Sequence, residues 1–409
     1  MGLIAASGRN LTSTNPPNQR LLLLDALRGL ALFGVLLVNL RYFSLYELLT
    51  AEQRSSLPSA DWDAMLRPLM AVFVDGKAIT LFTLLFGIGM ALQLQRSADM
   101  SAGRQLLLRR MVWLLLIGLI HGYLLWWGEI LRYYAVLGLL LIPLLRWSPR
   151  TLAITGGLMV MFGPALLRWL LAGHMPERLP SQFANDIAVQ GFSDSSLWIM
   201  LSTNIGHDLW LRQGAVGLLA FILGRFMLGV ALANSGVLWD IEQHQLFWRR
   251  LCLWCWLLGL MLTLFFIARS QGLIVLGGDY WRWPATRIVL GALRHAASVS
   301  LALAYLATFV LINRHRYCLR LSKHLAVVGR MALSNYLLQT LFGIGLFYGV
   351  GLGLGPDYGM PAVILATVVI FAIQIMVSHW WLRSHRQGPA EWLWRWAYAR
   401  PVLSRKSTG

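Results

Sequence analysis

Long apolar runs separated by short polar connections make up nearly the whole chain, and each run has the length that crosses a bilayer. A spanning helix takes about 20 mostly apolar residues. Such runs fall near residues 22–43, 66–94, 107–127, 130–146, 151–172, 213–234, 247–268, 284–312, 325–350 and 360–383. The pattern predicts an all-α fold, a polytopic transmembrane helical bundle of about ten spans. The first run is too long for a cleaved signal peptide, and no small-x-small site ends it. Residues 1–19 and 400–409 read as disordered cytoplasmic tails around a single transmembrane domain over 20–399, with no internal repeat and no soluble domain. The longest connections on the far side, 44–65 and 173–212, have the mixed composition of loops that carry short helices and cap a site.

Charge gives the orientation. With the N-terminus inside, the cytoplasmic connections hold about 21 of the 35 Lys and Arg, among them Arg96, Arg104, Arg146, Arg150, Arg249 and Arg250. The opposite connections hold about ten, together with most of the acids, including Glu47, Asp61, Asp63, Asp194 and Asp208. By the positive-inside rule this sets both termini in the cytoplasm, N-in and C-in.

Composition then removes other classes. Hydrophobic residues are 57% of the chain and charged residues 13%, too little polar surface for a soluble core of this size. The formal net charge of +18 lies between apolar runs rather than on one soluble face, so it orients a membrane protein and does not imply nucleic acid. Cys252 and Cys255 form a CxxC inside the apolar run LCLWCWLLGLMLTLFF, where they pack on a helix face; no second CxxC, HxxxH or HExxH completes a metal site.

Ionisable and amide side chains inside spans mark the candidate chemistry, since each is costly in hydrocarbon. Asp25 and Arg28 open the first run at i, i+3 and are expected to pair, with Asn39 three turns further along a similar face. Asp75 and Lys77 flank a glycine in the second run, and Asp75 is expected to accept from Lys77 or from an Arg elsewhere. The third and fourth runs, LLLRRMVWLLLIGLIHGYLLWWGEILRYYAVLGLLLIP, place His121 about 16 Å beyond Arg110, past the middle of the layer. Gly122 leaves room beside it, and Glu129 and Arg132 follow at the hairpin, within reach of the imidazole. An imidazole there suits a general base or an acyl-accepting nucleophile. In the ninth run Arg330, Ser334, Asn335 and Gln339 form a polar strip entering from the cytoplasmic face, where Arg330 suits an anionic ligand. Arg225 and Arg294 also lie within spans and need partners that the sequence does not name. The segment RQGPAEWLWRWAY reads as a short interfacial helix, and Gly351 and Gly355, spaced like GxxxG, suggest close packing such as a homo-dimer uses.

The strings LDALRGLALFGVLLVNLRYF, GKAITLFTLLFGIGMAL, RRMVWLLLIGLIHGYLLWWGEILRYYAVLGLL, GRMALSNYLLQTLFGIGLFY and RQGPAEWLWR resemble the YeiB family of bacterial inner-membrane proteins, over nearly the whole chain. Residues 20–172 are similar to the first part of transmembrane acyltransferases, such as heparan-alpha-glucosaminide N-acetyltransferase and the bacterial enzymes that O-acetylate surface glycans. From about 213 to 399 the chain resembles a domain of unknown function. The shared mark is D-x-x-R-G, present as Asp25, Arg28 and Gly29. Where the glycan enzymes carry His eleven residues after that Arg, this chain has Asn39, and 44–65 contains no His, so His121 would take over.

The resemblance implies a membrane acyltransferase. Acetyl-CoA or another acyl-CoA would dock from the cytoplasm on Arg28, Arg109, Arg110 and Arg330, with Asn335 and Gln339 nearby. His121 would be the base, Glu129 would orient it, and Asn39 or Asn335 would donate to the oxyanion. Asp25, Asp75, Lys77, Arg132 and Ser334 would be structural or relay groups. The acceptor would be periplasmic or lipid-linked. The competing expectation is a transporter of a small metabolite or of protons, for which Asp75, Lys77, His121 and Glu129 are equally apt.

Overall fold

The computed structural model describes residues 17–174, 177, 179–274, 283–313 and 315–399. Residues 1–16 and 400–409 of the expected tails, and Arg9, Arg314 and Asp279 of the charged connections, lie outside the described residues. In chain order the helices are α1 (Pro17–Phe43), α2 (Ala51–Ser55), α3 (Ala60–Phe73), α4 (Lys77–Gln95), α5 (Met100–Leu124), α6 (Leu131–Leu144), α7 (Pro149–Leu171) and α8 (Ser181–Ser193). Then come α9 (Leu197–Gly214), α10 (Val216–Asn234), α11 (Gln245–Ser270), α12 (Pro284–Ile312), α13 (Arg316–Arg330), α14 (Ala332–Phe347), α15 (Met360–Trp381) and α16 (Pro389–Ala399).

Eight segments are long and apolar enough to cross a membrane: most of α1, α3 joined to α4, and α5, α7, α10, α11, α12 and α15. The shorter apolar helices α6 and α14 occupy the places of the fourth and ninth expected runs. The protein is thus a polytopic helical membrane protein, and Trp169, Trp254, Met261, Leu365 and Trp380 lie exposed on its flanks, as lipid permits.

Three boundaries differ from expectation. Residues 17–19, assigned to the tail, are already helical. The second run is two helices, because Gly76 takes φ 75°, a left-handed conformation that ends one helix and caps the next. The ninth run is also divided. Residues 325–330 belong to α13, a strongly amphipathic helix with basic residues on its outer face, and α14 starts only at Ala332. The 173–212 connection carries α8 and α9, the latter started by Ser196, whose hydroxyl accepts from Ile199 N at 3.4 Å.

At the centre lies α1, packed on α4, α13, α14 and α15. It runs antiparallel to α13 with backbones in contact: a Cβ on Gly29 would strike the Leu325 carbonyl, and one on Gly329 the Asp25 carbonyl. Small residues at such a crossing let van der Waals contact replace the hydrophobic drive that lipid cannot supply. The same contact brings Arg330, one residue beyond Gly329, to the end of α1 that bears Arg28. On the other side α10 packs on α4, α6 and α7. The Gly351 and Gly355 pair is used within the chain, since Cβ atoms there would meet Gly345 and Ser44 backbone atoms.

Candidate functional site

Arg28, Arg110 and Arg330, from three different helices, line one cavity of about 220 Å³. We call it the basic-end cavity, because it opens where the expected cytoplasmic charge lies. Arg28 is held by Asp25 at 2.7 Å, the pairing expected from their i, i+3 spacing. Arg330 donates to the Arg386 carbonyl at 2.9 Å. Arg110 donates to Gln93 and lies over the Trp394 ring at 4.9 Å, while the Trp394 indole donates to the Arg110 carbonyl at 3.1 Å. Arg109 does not line this cavity. Neighbouring helical residues project about 100° apart, so only one of the Arg109–Arg110 pair faces inward.

Glu391 of α16 also lines this cavity. Its carboxylate accepts from Leu333 N at 2.6 Å, from Ser334 N at 3.2 Å and from the Ser334 hydroxyl. It therefore caps α14, whose first N–H groups have no partner within the helix. Burial pushes the Glu391 carboxyl above its ordinary value, against the opposing pull of the Ser334 hydrogen bond. Ser334 is thus engaged by Glu391 rather than lying open in a polar strip.

The rest of that strip turns elsewhere. Asn335 donates to the Val328 carbonyl and to the Ser378 hydroxyl, both at 3.1 Å, and its own carbonyl accepts from Gln374 at 2.8 Å. Gln339 donates to Gln374 at 3.1 Å. Both side chains are buried against α15 as interhelical hydrogen bonds, and neither lines the cavity, so the geometry does not make them ligand-binding groups. Nor does Asn39 line it, and the Asn39 side chain makes no hydrogen bond among the described residues.

His121 is 2% exposed and lies deep in the bundle. Its Nε2 is 2.9 Å from the Thr340 hydroxyl, and its Nδ1 has no hydrogen-bond partner. The ring packs on Tyr336, centroids 5.3 Å apart, and Tyr336 lines the basic-end cavity. His121 thus meets the cavity through Tyr336 rather than directly.

Glu129 does not orient His121. Its oxygens accept from Leu131 N, from Arg132 N at 3.1 Å and from Arg132 Nε at 3.2 Å. Two backbone N–H groups at the start of α6 and an adjacent guanidinium hold the carboxylate more firmly than an imidazole one helix away. Arg132 passes over Gly122, where any Cβ would collide with its guanidinium, and reaches Asp208 at 2.8 and 3.2 Å. Asp208 also takes Arg212 at 2.6 and 2.8 Å. The result is a buried four-member ion cluster joining α6 to α9.

Asp75 and Lys77 do not pair. Asp75 accepts from Arg41 at 2.6 Å, and Arg41 also meets Glu47 at 3.3 Å. Lys77, 4% exposed, donates to the Ala71 carbonyl. The turn at Gly76 directs Lys77 back over the end of α3 and leaves Asp75 facing a separate polar cavity with Arg41, Glu47 and Arg67.

A further cavity, of about 370 Å³, opens at the opposite end of the bundle from the basic-end cavity. Glu129, Tyr133, Arg168, Arg212, Phe221 and His295 are among the residues lining it. Ile130, just ahead of α6, lines both this far cavity and the basic-end one. Sequence reasoning missed Asp208, Glu391, Arg168, Tyr336 and Thr340 as site residues. A signal for Asp208 existed: Asn204, Asp208 and Arg212 repeat every four residues in α9, and a polar stripe on an otherwise apolar helix faces something polar.

Comparison with known proteins gives a consistent picture. Residues 232–401 match a family described as Protein of unknown function (DUF418). Over 410 residues the chain is 32% identical to Uncharacterized protein YeiB of Escherichia coli (strain K12), covering 95% of this chain and 100% of that one. It is 30% identical over 405 residues to Uncharacterized protein YxaH of Bacillus subtilis (strain 168), 92% of this chain and 94% of that one. It is also 27% identical over 395 residues to the Uncharacterized 39.9 kDa protein in amylase 3'region of Bacillus acidopullulyticus, 95% and 97% covered. No solved structure matches.

Proposed function

Given that this chain belongs to the YeiB-like DUF418 family of multi-pass membrane proteins, we propose that it is an acyltransferase of the bacterial inner membrane. It moves an acetyl or other acyl group from cytoplasmic acyl-CoA to a hydroxyl or amine presented from the periplasmic side. One observation carries the reading: guanidiniums from three helices converge on a cavity that reaches inward and shares Ile130 with a cavity from the opposite end. Clustered guanidiniums fit the phosphates of a nucleotide thioester. The apolar and aromatic walls beyond them, Leu32, Phe86, Tyr134 and Tyr336, fit its arm.

In this reading the acceptor oxygen or nitrogen attacks the thioester carbonyl carbon. The carbon–sulfur bond breaks, and the acceptor's proton ends on the departing CoA sulfur. His121 carries that proton: with Nε2–H donated to Thr340, the free lone pair on Nδ1 is the base. The Tyr336 ring must move aside for the thioester to reach it. Asp25 positions Arg28, and Glu391 and Trp394 position α14 and Arg110 at the mouth.

CoA and acetyl-CoA binding to the purified protein tests this. Both should raise its melting temperature, a ligand specific to the folded state being stabilising by mass action. Arg330→Ala should weaken binding at least tenfold, and His121→Gln should keep binding and lose transfer. No stabilisation by any CoA species sinks the acyltransferase. The two cavities that share Ile130 would then favour a transporter of a small metabolite or of protons, and flux into proteoliposomes would be measured next.

A further inference from the structure

Arg225, near the middle of α10, is 1% exposed, and its guanidinium makes no hydrogen bond or ion pair among the described residues. Its guanidinium carbon lies 3.3 Å from the centroid of the Phe221 ring. A charged Arg at this depth is costly in hydrocarbon, and a single ring face offsets only part of that cost. Nε and Nη2 are buried with nothing to donate to, which leaves the cost of two missing hydrogen bonds as well. Tyr134 and His295 are its titratable neighbours, and neither supplies a carboxylate.

That ring also lines the far cavity, where Arg225 itself does not reach. Gly217, Phe221 and Arg225 recur at i, i+4 and i+8 and share one face of α10, over about 12 Å. At one end Arg168 of α7 lies over Gly217, its Nε 3.1 Å from where a Cβ would stand. Arg168 is exposed at the cavity and has no carboxylate partner among the described residues. Phe221 and His295, ring centroids 4.4 Å apart, both line the cavity, and Arg225 packs on Phe221. The other charges on the cavity wall cancel, since Glu129 is bound to Arg132 and Arg212 to Asp208. Two guanidiniums therefore remain without counter-charge, one at the mouth and one behind an aromatic ring.

We propose that this far cavity is a binding site for a phosphate group, which Arg168 meets first and Arg225 holds once it takes the place of the Phe221 ring. Resting on the acyltransferase reading, this makes the acceptor a phosphate-bearing compound. Tyr133, Trp127 and Leu218 on the same wall cover the group that carries the phosphate. Both a phosphorylated sugar and a lipid phosphate have this chemistry.

The test uses the full chain in nanodiscs of neutral lipid, with inorganic phosphate, glucose 1-phosphate and farnesyl phosphate as probes and farnesol as the uncharged control. At least one phosphate probe should bind and raise the melting temperature, and farnesol should not. Arg225→Met and Arg168→Gln should each raise its Kd at least tenfold and leave CoA binding unchanged. Arg294→Gln, at a residue off this cavity, should change neither. Stronger binding of farnesyl phosphate assigns a lipid-linked source, and equal binding of glucose 1-phosphate a soluble one. No phosphate binding to the wild-type chain, or unchanged binding in both variants, overturns the site. Arg168 is exposed, so its variant decides the matter if Arg225→Met fails to fold. Phosphate binding that persists where CoA binding is absent removes the acyltransferase and keeps the site.

Discussion

Two buried arginines, each in contact with a residue that lines the far cavity, have opposite surroundings. Arg132 is 6% exposed and carries Glu129 on one edge and Asp208 on the other, with Arg212 completing a neutral cluster. Arg225 is 1% exposed and has only a phenyl ring. The first arrangement is complete without a ligand and serves as a brace between the start of α6 and α9. The second is incomplete, and an incomplete buried charge in a membrane protein marks a place where something binds. Burial and charge are alike at the two positions; the census of partners separates a strut from a site.

The largest expected effect breaks the complete side. Asp208→Ala leaves Arg212 with only the Tyr133 ring, at 5.0 Å, and Arg132 with a single carboxylate. Removing one partner of a buried ion pair typically costs about 3–5 kcal/mol. The melting temperature should fall sharply, and α9 should lose amide protection before the rest of the bundle. On the other side Arg225→Met removes a charge that nothing in the empty protein balances, so the unliganded melting temperature should hold or rise. Equal losses in the two variants would erase the distinction between brace and site.

A smaller effect sharpens the comparison at the basic end, where the cavity depends on backbone contact. Gly329→Ala places a methyl against the Asp25 carbonyl and must push α13 away from α1. Overpacking of this kind costs about 1–3 kcal/mol. Because Asp25 holds Arg28 and Gly329 adjoins Arg330, the shift separates two of the three guanidiniums. CoA binding should weaken by more than the melting temperature alone suggests, while phosphate binding at the far cavity stays unchanged.

These contrasts divide what the sequence can and cannot disclose. The spans were legible because hydrocarbon demands a run of apolar residues, whatever the neighbours are. The Asp25–Arg28 pair was legible because i, i+3 spacing on a helix is enough. Asp208 with Arg132, 76 residues apart, and Glu391 with Ser334, 57 apart, were not, because one chain carries no record of which helices touch. The expected Glu129–His121 contact failed for a local reason: proximity in sequence favoured the imidazole, but free N–H groups at a helix start compete for the same carboxylate. The break at Gly76 and the division between α13 and α14 were hidden by hydropathy, which averages over a turn.

The smallest effect concerns Glu391, the one carboxylate lining the basic-end cavity among the described residues. Burial raises its folded value above the ordinary one. Below the ordinary carboxyl range both folded and unfolded chains hold the proton, and Glu391 contributes no slope. As pH rises through the window between the two values, the folded chain keeps a proton that the unfolded chain has lost, so stability falls with pH. Glu391→Gln should remove that slope. The same titration acts on the donor: with Asp25 already on Arg28, a neutral Glu391 adds no negative charge to the cavity wall, and its carboxylate does. CoA phosphates titrate in this range too, so the useful quantity is the ratio of Kd values for the wild type and Glu391→Gln at each pH. That ratio should start near one at acid pH and grow to about fivefold, the factor that ~1 kcal/mol of charge interaction represents. A ratio flat from acid to neutral pH would place the CoA phosphates away from Glu391, and with them the assignment of the three arginines.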